Sequence, residues 1–302
     1  MMPFKSTMMT RIYLGGAMTL ALLSLLVGEG WLAIHQYFFL PPELEGIVFC
    51  LVAALMAAWG CLELLGMARS KGLTPLTNIT VVGVALIVGQ PFWTHVGLGS
   101  QGHDSAKYLG IVVIGLMFMA AWGQARKLGP QETLANLSVT CFCFCYFGLG
   151  LMFLVLIRLQ GAGTSTIIEQ VGPVIMFLAC VKSADIGAYF TGRAIGRHLW
   201  VPSISPAKTW EGFGGGVVLT IIVASLLSRI FGIMDMPMAL LFGLFVAVTG
   251  QLGDLLESML KRDAGNKDSA QLLPAFGGVL DLMDSVLVAA PFAWAIFEWT
   301  GR

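Results

Sequence analysis

Nine stretches of predominantly apolar residues recur along this chain, at 12–37, 44–67, 76–98, 108–123, 134–157, 167–190, 213–232, 237–260 and 279–299. A bilayer has a hydrocarbon core about 30 Å thick, which an α-helix crosses in about 20 residues. Backbone polar groups in lipid find no water, so they must pair within their own segment, and this selects helices over open strands. The expected fold is therefore all-α, a polytopic integral membrane protein of about nine transmembrane helices. Composition agrees, with 57% hydrophobic and 11% charged residues, where soluble domains carry about 25% charged residues. Lys plus Arg and Asp plus Glu both number 17, a balance that argues against a nucleic-acid partner or a basic peripheral membrane protein.

The first run follows Lys5 and Arg11 as a secretory signal would, but it continues past the usual signal length with no small-x-small cleavage site before Glu29. It is read as a retained span. The six cysteines all lie in apolar runs without zinc-like spacing and are read as packing residues. With the N-terminus placed in the cytoplasm, 12 Lys and Arg residues flank cytoplasmic helix ends and 4 flank the others, with Lys182 inside a span. The positive-inside rule then sets the N-terminus in the cytoplasm and the C-terminus outside. Both long polar loops, 191–212 and 261–278, fall on the cytoplasmic side.

Ionisable residues at membrane depth are costly and mark functional interiors. Here they come in pairs spaced i, i+3, which share one helix face: Lys182 with Asp185, Asp254 with Glu257, and Asp281 with Asp284. The expected topology brings all three pairs to cytoplasmic helix ends. A single pair is adequately explained as a packing ion pair or as snorkelling side chains; three at one face point to a site. Four acids in the last two runs cannot share a low-dielectric pocket as bare anions, and a bound cation relieves the repulsion. Oxygen ligands without clustered His or Cys suit Mg²⁺. With Lys208, Lys261, Arg262 and Lys267 in the adjoining loops, the set describes phosphoryl or nucleotidyl transfer.

The segment 205–216, SPAKTWEGFGGG, places Lys-Thr before a glycine-rich helix entry. The order is the reverse of a Walker A loop. Helix N-terminal N–H groups there are able to hold an anion, while the glycines equally serve close helix packing in lipid. Glu63, a lone acid in the second run, is read as structural.

The segment SMLKRDAGNKDSAQLLPAFGGVLDLMD, from Ser258 to Asp284, resembles the signature of the CDP-diacylglycerol synthases, the phosphatidate cytidylyltransferase family. DIGAYFTGRAIGRH from Asp185 and SPAKTWEGFGGG from Ser205 resemble it too. With no Gly- or Ser-rich linker, low-complexity tract or repeat, 1–302 is read as a single transmembrane domain; 1–180 shares with the family only apolar helical character, and the likeness makes 181–302 the catalytic helices and loops. It implies transfer of CMP from CTP to phosphatidate, giving CDP-diacylglycerol and pyrophosphate in phospholipid biosynthesis at the inner, cytoplasmic membrane. Mg²⁺ is the implied cofactor, with or without a second cation; CTP, phosphatidate and the bilayer are the implied partners, and a homodimer is left open.

Carried over by position, Asp254 and Asp281 would bind the metal, and Asp254, Asp281, Asp284 and Lys261 would form the catalytic group. Ser205, Lys208, Thr209, Glu257, Ser258, Arg262, Lys267, Asp268, Lys182 and Asp185 would contact substrates. Three residues depart from the usual pattern: Ala275 and Phe276 stand in place of Gly-His, and Leu282 in place of Arg. Two other classes remain open: a CTP-dependent lipid kinase, and a transporter using intramembrane carboxylates, although a transporter would set them near the midplane.

Overall fold

The computed structural model describes residues 24, 27–31, 44–98, 105–164, 166–265 and 278–300. Most of the first expected run, together with Lys267, Asp268, Ala275 and Phe276, lies outside the described residues. The other eight runs are helices long and apolar enough to cross a membrane. They are α1 (Ile47–Ser70), α2 (Thr77–Leu98), α3 (Ser105–Lys127), α4 (Thr133–Leu159), α5 (Ile167–Ile195), α6 (Trp210–Phe231), α7 (Met236–Asp263) and α8 (Leu280–Trp299). The protein is thus an all-α, multi-pass membrane protein.

Local chemistry sets the ends. Thr166 caps α5 by accepting from the Glu169 N–H at 3.2 Å, and Glu169 completes the Thr-x-x-Glu pattern of a helix start. Thr209 caps α6 by accepting from Gly212 N–H at 3.1 Å. α6 stops at Gly232, whose φ of 64° suits the left-handed C-terminal position that glycine takes without strain. Asp235 caps α7, with Pro237 in the first turn where its missing N–H costs nothing.

The densest packing joins α5 to α6 and α7 to α8, with α6 also against α7 and α4 against α8. Glycines permit the first contact. A Cβ on Gly187 would lie 2.7 Å from the Gly215 carbonyl oxygen, and one on Gly216 the same distance from that of Ala184. The glycine-rich entry of α6 therefore serves close helix approach, as lipid-embedded interfaces commonly do. Buried hydroxyls add polar links: Ser183 to Thr220 at 3.2 Å between α5 and α6, and Thr80 to Thr140 at 3.2 Å between α2 and α4. α3 is peripheral, exposing Ile111, Phe118 and Trp122.

The polar segment after α5, read from the sequence as a loop, contains a two-stranded antiparallel hairpin. β1 (Leu199–Val201) pairs with β2 (Ser205–Thr209), with Leu199 opposite Thr209 and Val201 opposite Ser205. Glu211 ties the hairpin to the first turn of α6. Its carboxylate accepts from the Arg197 and His198 backbone N–H groups at 3.1 and 3.2 Å, and lies 2.6 Å from His198 Nδ1. Trp200, Trp210 and Phe213 pack beneath the hairpin, with ring centroids 4.8 to 5.9 Å apart.

Candidate active site

The polar groups expected from the sequence meet at one end of the bundle, where α5 and α7 finish and α6 and α8 begin. A backbone contact sets the register. The missing side chain of Gly253 lets α7 lie directly on α8: a Cβ there would meet the Asp284 carbonyl group and stand 3.0 Å from Ser285 Cα. The next residue of α7, Asp254, is thereby brought to Asp284, and Glu257 follows one turn later. The carboxylates of Asp254, Glu257 and Asp284 offer oxygen atoms that all lie within 4.8 Å of one another. Glu257 is 2% exposed and Asp284 7%.

Cations surround this cluster. Lys261, one turn beyond Glu257, bridges two acids, with Nζ 2.9 Å from Glu257 Oε1 and 2.8 Å from Asp281 Oδ1. Asp281 also accepts from the Gly278 N–H at 3.3 Å. Lys208, carried by β2, reaches down to Asp254 with Nζ 2.7 Å from Oδ2. The hairpin thus lays a positive charge across the mouth of the cluster. Arg262 points back to the hairpin turn, its Nε donating to the Ile204 carbonyl at 3.2 Å. On α5, Lys182 and Asp185 pair at 3.7 Å, both about half exposed, and Asp185 stands in the field of Asp254 and Lys208.

Of the remaining expected site residues, Ser258 sits over Asp254, its hydroxyl 3.5 Å from Oδ1. Ser205 opens β2, and Thr209 closes it as the α6 cap. Lys267 and Asp268 lie outside the described residues. Glu63 of α1 proves structural, as its solitary position suggested: its two carboxylate oxygens accept from the Val279 and Leu280 N–H groups at 3.0 Å each. A carboxylate at a helix N-terminus offsets the unpaired N–H groups and the positive end of the dipole. Glu63 therefore fixes where α8 begins, and with it Asp281 and Asp284.

The opposite end of the bundle holds a second charged group that the sequence did not single out. Arg158, with no exposed surface, lies 3.4 Å from Glu45 and 3.8 Å from Glu29. It tethers the segments before α1 to α4, far along the membrane normal from the carboxylate cluster.

Three carboxylates beside lysines at one end of the bundle, Asp254 among them partly exposed, suit binding of a polyphosphate together with a cation. Comparison with known proteins finds relatives of one name. The chain is 46% identical over 132 residues to the phosphatidate cytidylyltransferase of Bacillus subtilis, covering 42% of this chain and 48% of that one. It is 45% identical over 130 residues to the Pseudomonas aeruginosa protein of the same name, with the same two coverages. The match to the Mycobacterium tuberculosis H37Rv phosphatidate cytidylyltransferase is 40% over 126 residues, 41% of this chain and 38% of the relative. The matched stretch spans about half the length of these relatives or less. The model of the cytidylyltransferase family matches residues 11–300, which is nearly the whole chain, and the chain belongs to that family.

Proposed function

We propose that this protein transfers the CMP moiety of CTP to phosphatidate, forming CDP-diacylglycerol and releasing pyrophosphate. The observation that carries the reading is the convergence of Asp254, Glu257 and Asp284 with Lys208 and Lys261 at one end of the bundle. Relatives bearing the name phosphatidate cytidylyltransferase support it.

A divalent cation fits the residues present. The donors are all carboxylate oxygens, close enough to share one ion, and Glu257 and Asp284 are withdrawn from water while Asp254 is partly exposed. Asp254, Glu257 and Asp284 would hold it, with Asp281, the second ligand expected from the sequence, as the fourth carboxylate one turn before Asp284. Mg²⁺ bound there would neutralise phosphate charge and polarise the α-phosphoryl group.

In the reaction, a phosphate oxygen of phosphatidate attacks the α-phosphorus of CTP. One P–O bond forms, the α–β P–O bond breaks, and pyrophosphate departs with its electron pair. A phosphate monoester is already largely ionised near neutral pH, so no strong general base is needed. The chain's contribution is positioning and charge compensation. Lys261 shields Glu257 and Asp281 from each other until phosphate arrives. Lys208 on the hairpin, now paired with Asp254, and Arg262 beside its turn would meet the nucleotide phosphates. The half-exposed Lys182 and Asp185 on α5 flank the cluster where a lipid phosphate would approach sideways from the bilayer. The site is assigned to the cytoplasmic side of the inner membrane on the 12-to-4 division of Lys and Arg.

The deciding assay uses the purified protein in detergent micelles with phosphatidate, Mg²⁺ and CTP labelled at either the α- or the γ-phosphate. Label from the α-position should enter lipid and γ-label should leave as pyrophosphate. Asp254→Asn and Asp281→Asn should each lower turnover by about 10³-fold or more, the scale of losing a principal electrostatic group, while expression in the membrane holds. Entry of γ-label into lipid would make the protein a lipid kinase. Folded native protein that incorporates no more label than Asp281→Asn would refute the reading.

A further inference from the structure

The hydroxyl of Tyr146 is a buried polar group with no hydrogen-bond partner among the described residues, on a helix that packs against the one carrying Asp284. Tyr146 lies in a six-residue π-helical segment of α4, Phe144–Leu149. Such segments shift the register of a helix by one residue and recur at functional sites. The ring is held firmly, stacked on Phe142 at 5.3 Å and 24° and meeting Phe147 edge-on at 5.1 Å and 69°. The residue is 7% exposed and its hydroxyl oxygen is closed off from solvent. A buried tyrosine ordinarily finds a partner for its O–H.

Two glycine contacts fix which turn of α8 lies beside the turn of α4 that carries Tyr146. A Cβ on Gly150 would stand 2.8 Å from the Leu287 carbonyl oxygen and 3.2 Å from its Cα, so α4 and α8 touch backbone to backbone there. A Cβ on Gly60 of α1 would stand 2.7 Å from both Phe147 and Met283. Between these two points the residue numbers rise together, so α4 and α8 run in the same direction. One turn back from Gly150 and Leu287 therefore stand Tyr146 and Asp284. The charges acting on Tyr146 are those of Asp284, Glu257 and Asp254, in that order, the same three carboxylates that form the cluster.

We propose that Tyr146 is a positioning residue of the carboxylate cluster, its hydroxyl supplying the outer hydrogen bond to the Asp284 carboxylate when the cluster holds a divalent cation. The inference rests on the cation-binding reading given above and extends it to a helix outside the segments whose motifs resemble the family. A phenol has one proton to donate, and the three carboxylates whose charge reaches this hydroxyl are all acceptors. A hydrogen bond from behind a ligating carboxylate fixes its orientation and tunes affinity for the ion.

The test needs no turnover. Mn²⁺ binding to the full-length protein in detergent, without CTP or lipid, is followed by the loss of the free-ion electron paramagnetic resonance signal. Tyr146→Phe, which removes one oxygen and keeps the ring stack, should weaken Mn²⁺ binding about tenfold and leave the melting temperature of the ion-free protein unchanged. Phe142→Leu, which loosens the stack and keeps the hydroxyl, should bind Mn²⁺ like the native protein. Equal affinity of native and Tyr146→Phe proteins would overturn the proposal while sparing the cation site. So would an equal loss in Phe142→Leu, since packing alone would then account for it. Native protein that binds no more Mn²⁺ than Asp254→Asn would overturn the cation site and the role of Tyr146 together.

Discussion

Removing the Lys261 ammonium tests whether the cluster is held together by charge compensation. Lys261→Met keeps most of the side-chain volume and the apolar stem, so packing changes little. What is lost is the bridge between Glu257 and Asp281 at 2.9 and 2.8 Å. Removing one member of a buried ion pair typically costs about 3 to 5 kcal/mol, because a charge is left without compensation. The two acids differ in access to water: the Glu257 side chain is 3% exposed and that of Asp281 24%. Solvent reaches only one of them, which lowers the expected cost to about 2 to 4 kcal/mol. Adding Glu257→Gln removes the more deeply buried charge and should restore about 0.5 to 3 kcal/mol, the range of coupling between contacting residues. Reversible unfolding in mixed detergent micelles measures all four corners of this cycle. Activity should stay low in the double variant, since the ammonium facing the phosphates is still missing. If Lys261→Met unfolds like the native protein, or if Glu257→Gln restores nothing to it, the acids are not held by Lys261 and the electrostatic account of the site fails.

Gly253→Ala should cost about 1 to 3 kcal/mol by forcing α7 from α8 and should impair turnover by parting Asp254 from Asp284; Gly250→Ala, whose nearest neighbour would be Ser285 Cβ at 3.7 Å, should do neither, and equal effects at both positions would contradict the register described above. In a background without the native cysteines, Ser203→Cys in the hairpin turn should resist an impermeant thiol reagent in intact cells and react after lysis. Asp235→Cys at the start of α7 should react from outside, and the reverse pattern would set the carboxylate cluster on the side that lacks CTP.

The spans were legible because lipid imposes a length and an apolar character that a sequence displays directly. The paired acids were legible for a related reason: an i, i+3 spacing keeps two polar groups off the lipid together, and the eye finds it without knowing what they meet. Partners remote in the chain were not legible. Glu63 caps a helix whose first N–H groups lie 216 and 217 residues away. Arg158 counted in the sequence only as a cation near a helix end, yet it is fully buried against Glu45, 113 residues distant. Tyr146 sits in an apolar run, FCFCYFGLG, in which nothing distinguishes a core tyrosine from one with a buried, unpartnered hydroxyl. The hairpin escaped notice because its strands are three and five residues long, with Pro206 inside the second. No alternation develops over so short a length, and pairing depends on Glu211 and the aromatic floor holding the ends.

The side chain at 282 bears on the charge balance of the whole site. Leu282 is partly buried and packs against the apolar core, where the resemblance to the CDP-diacylglycerol synthases would lead one to expect Arg. A guanidinium at the present side-chain position would enter apolar surroundings, at a high cost in desolvation. With every group in its charged form, the acids about the site are Asp185, Asp254, Glu257, Asp281 and Asp284, and the ammonium groups are Lys182, Lys208 and Lys261. Among the described residues the excess is two negative charges, and Arg262 is engaged with the Ile204 carbonyl rather than with an acid. One divalent ion would offset that excess without any rearrangement of the core around Leu282. On the proposed reading, a site without Arg at this position would lean more on a bound cation than one that has it, and the replacement would be compatible with catalysis as long as that cation were supplied.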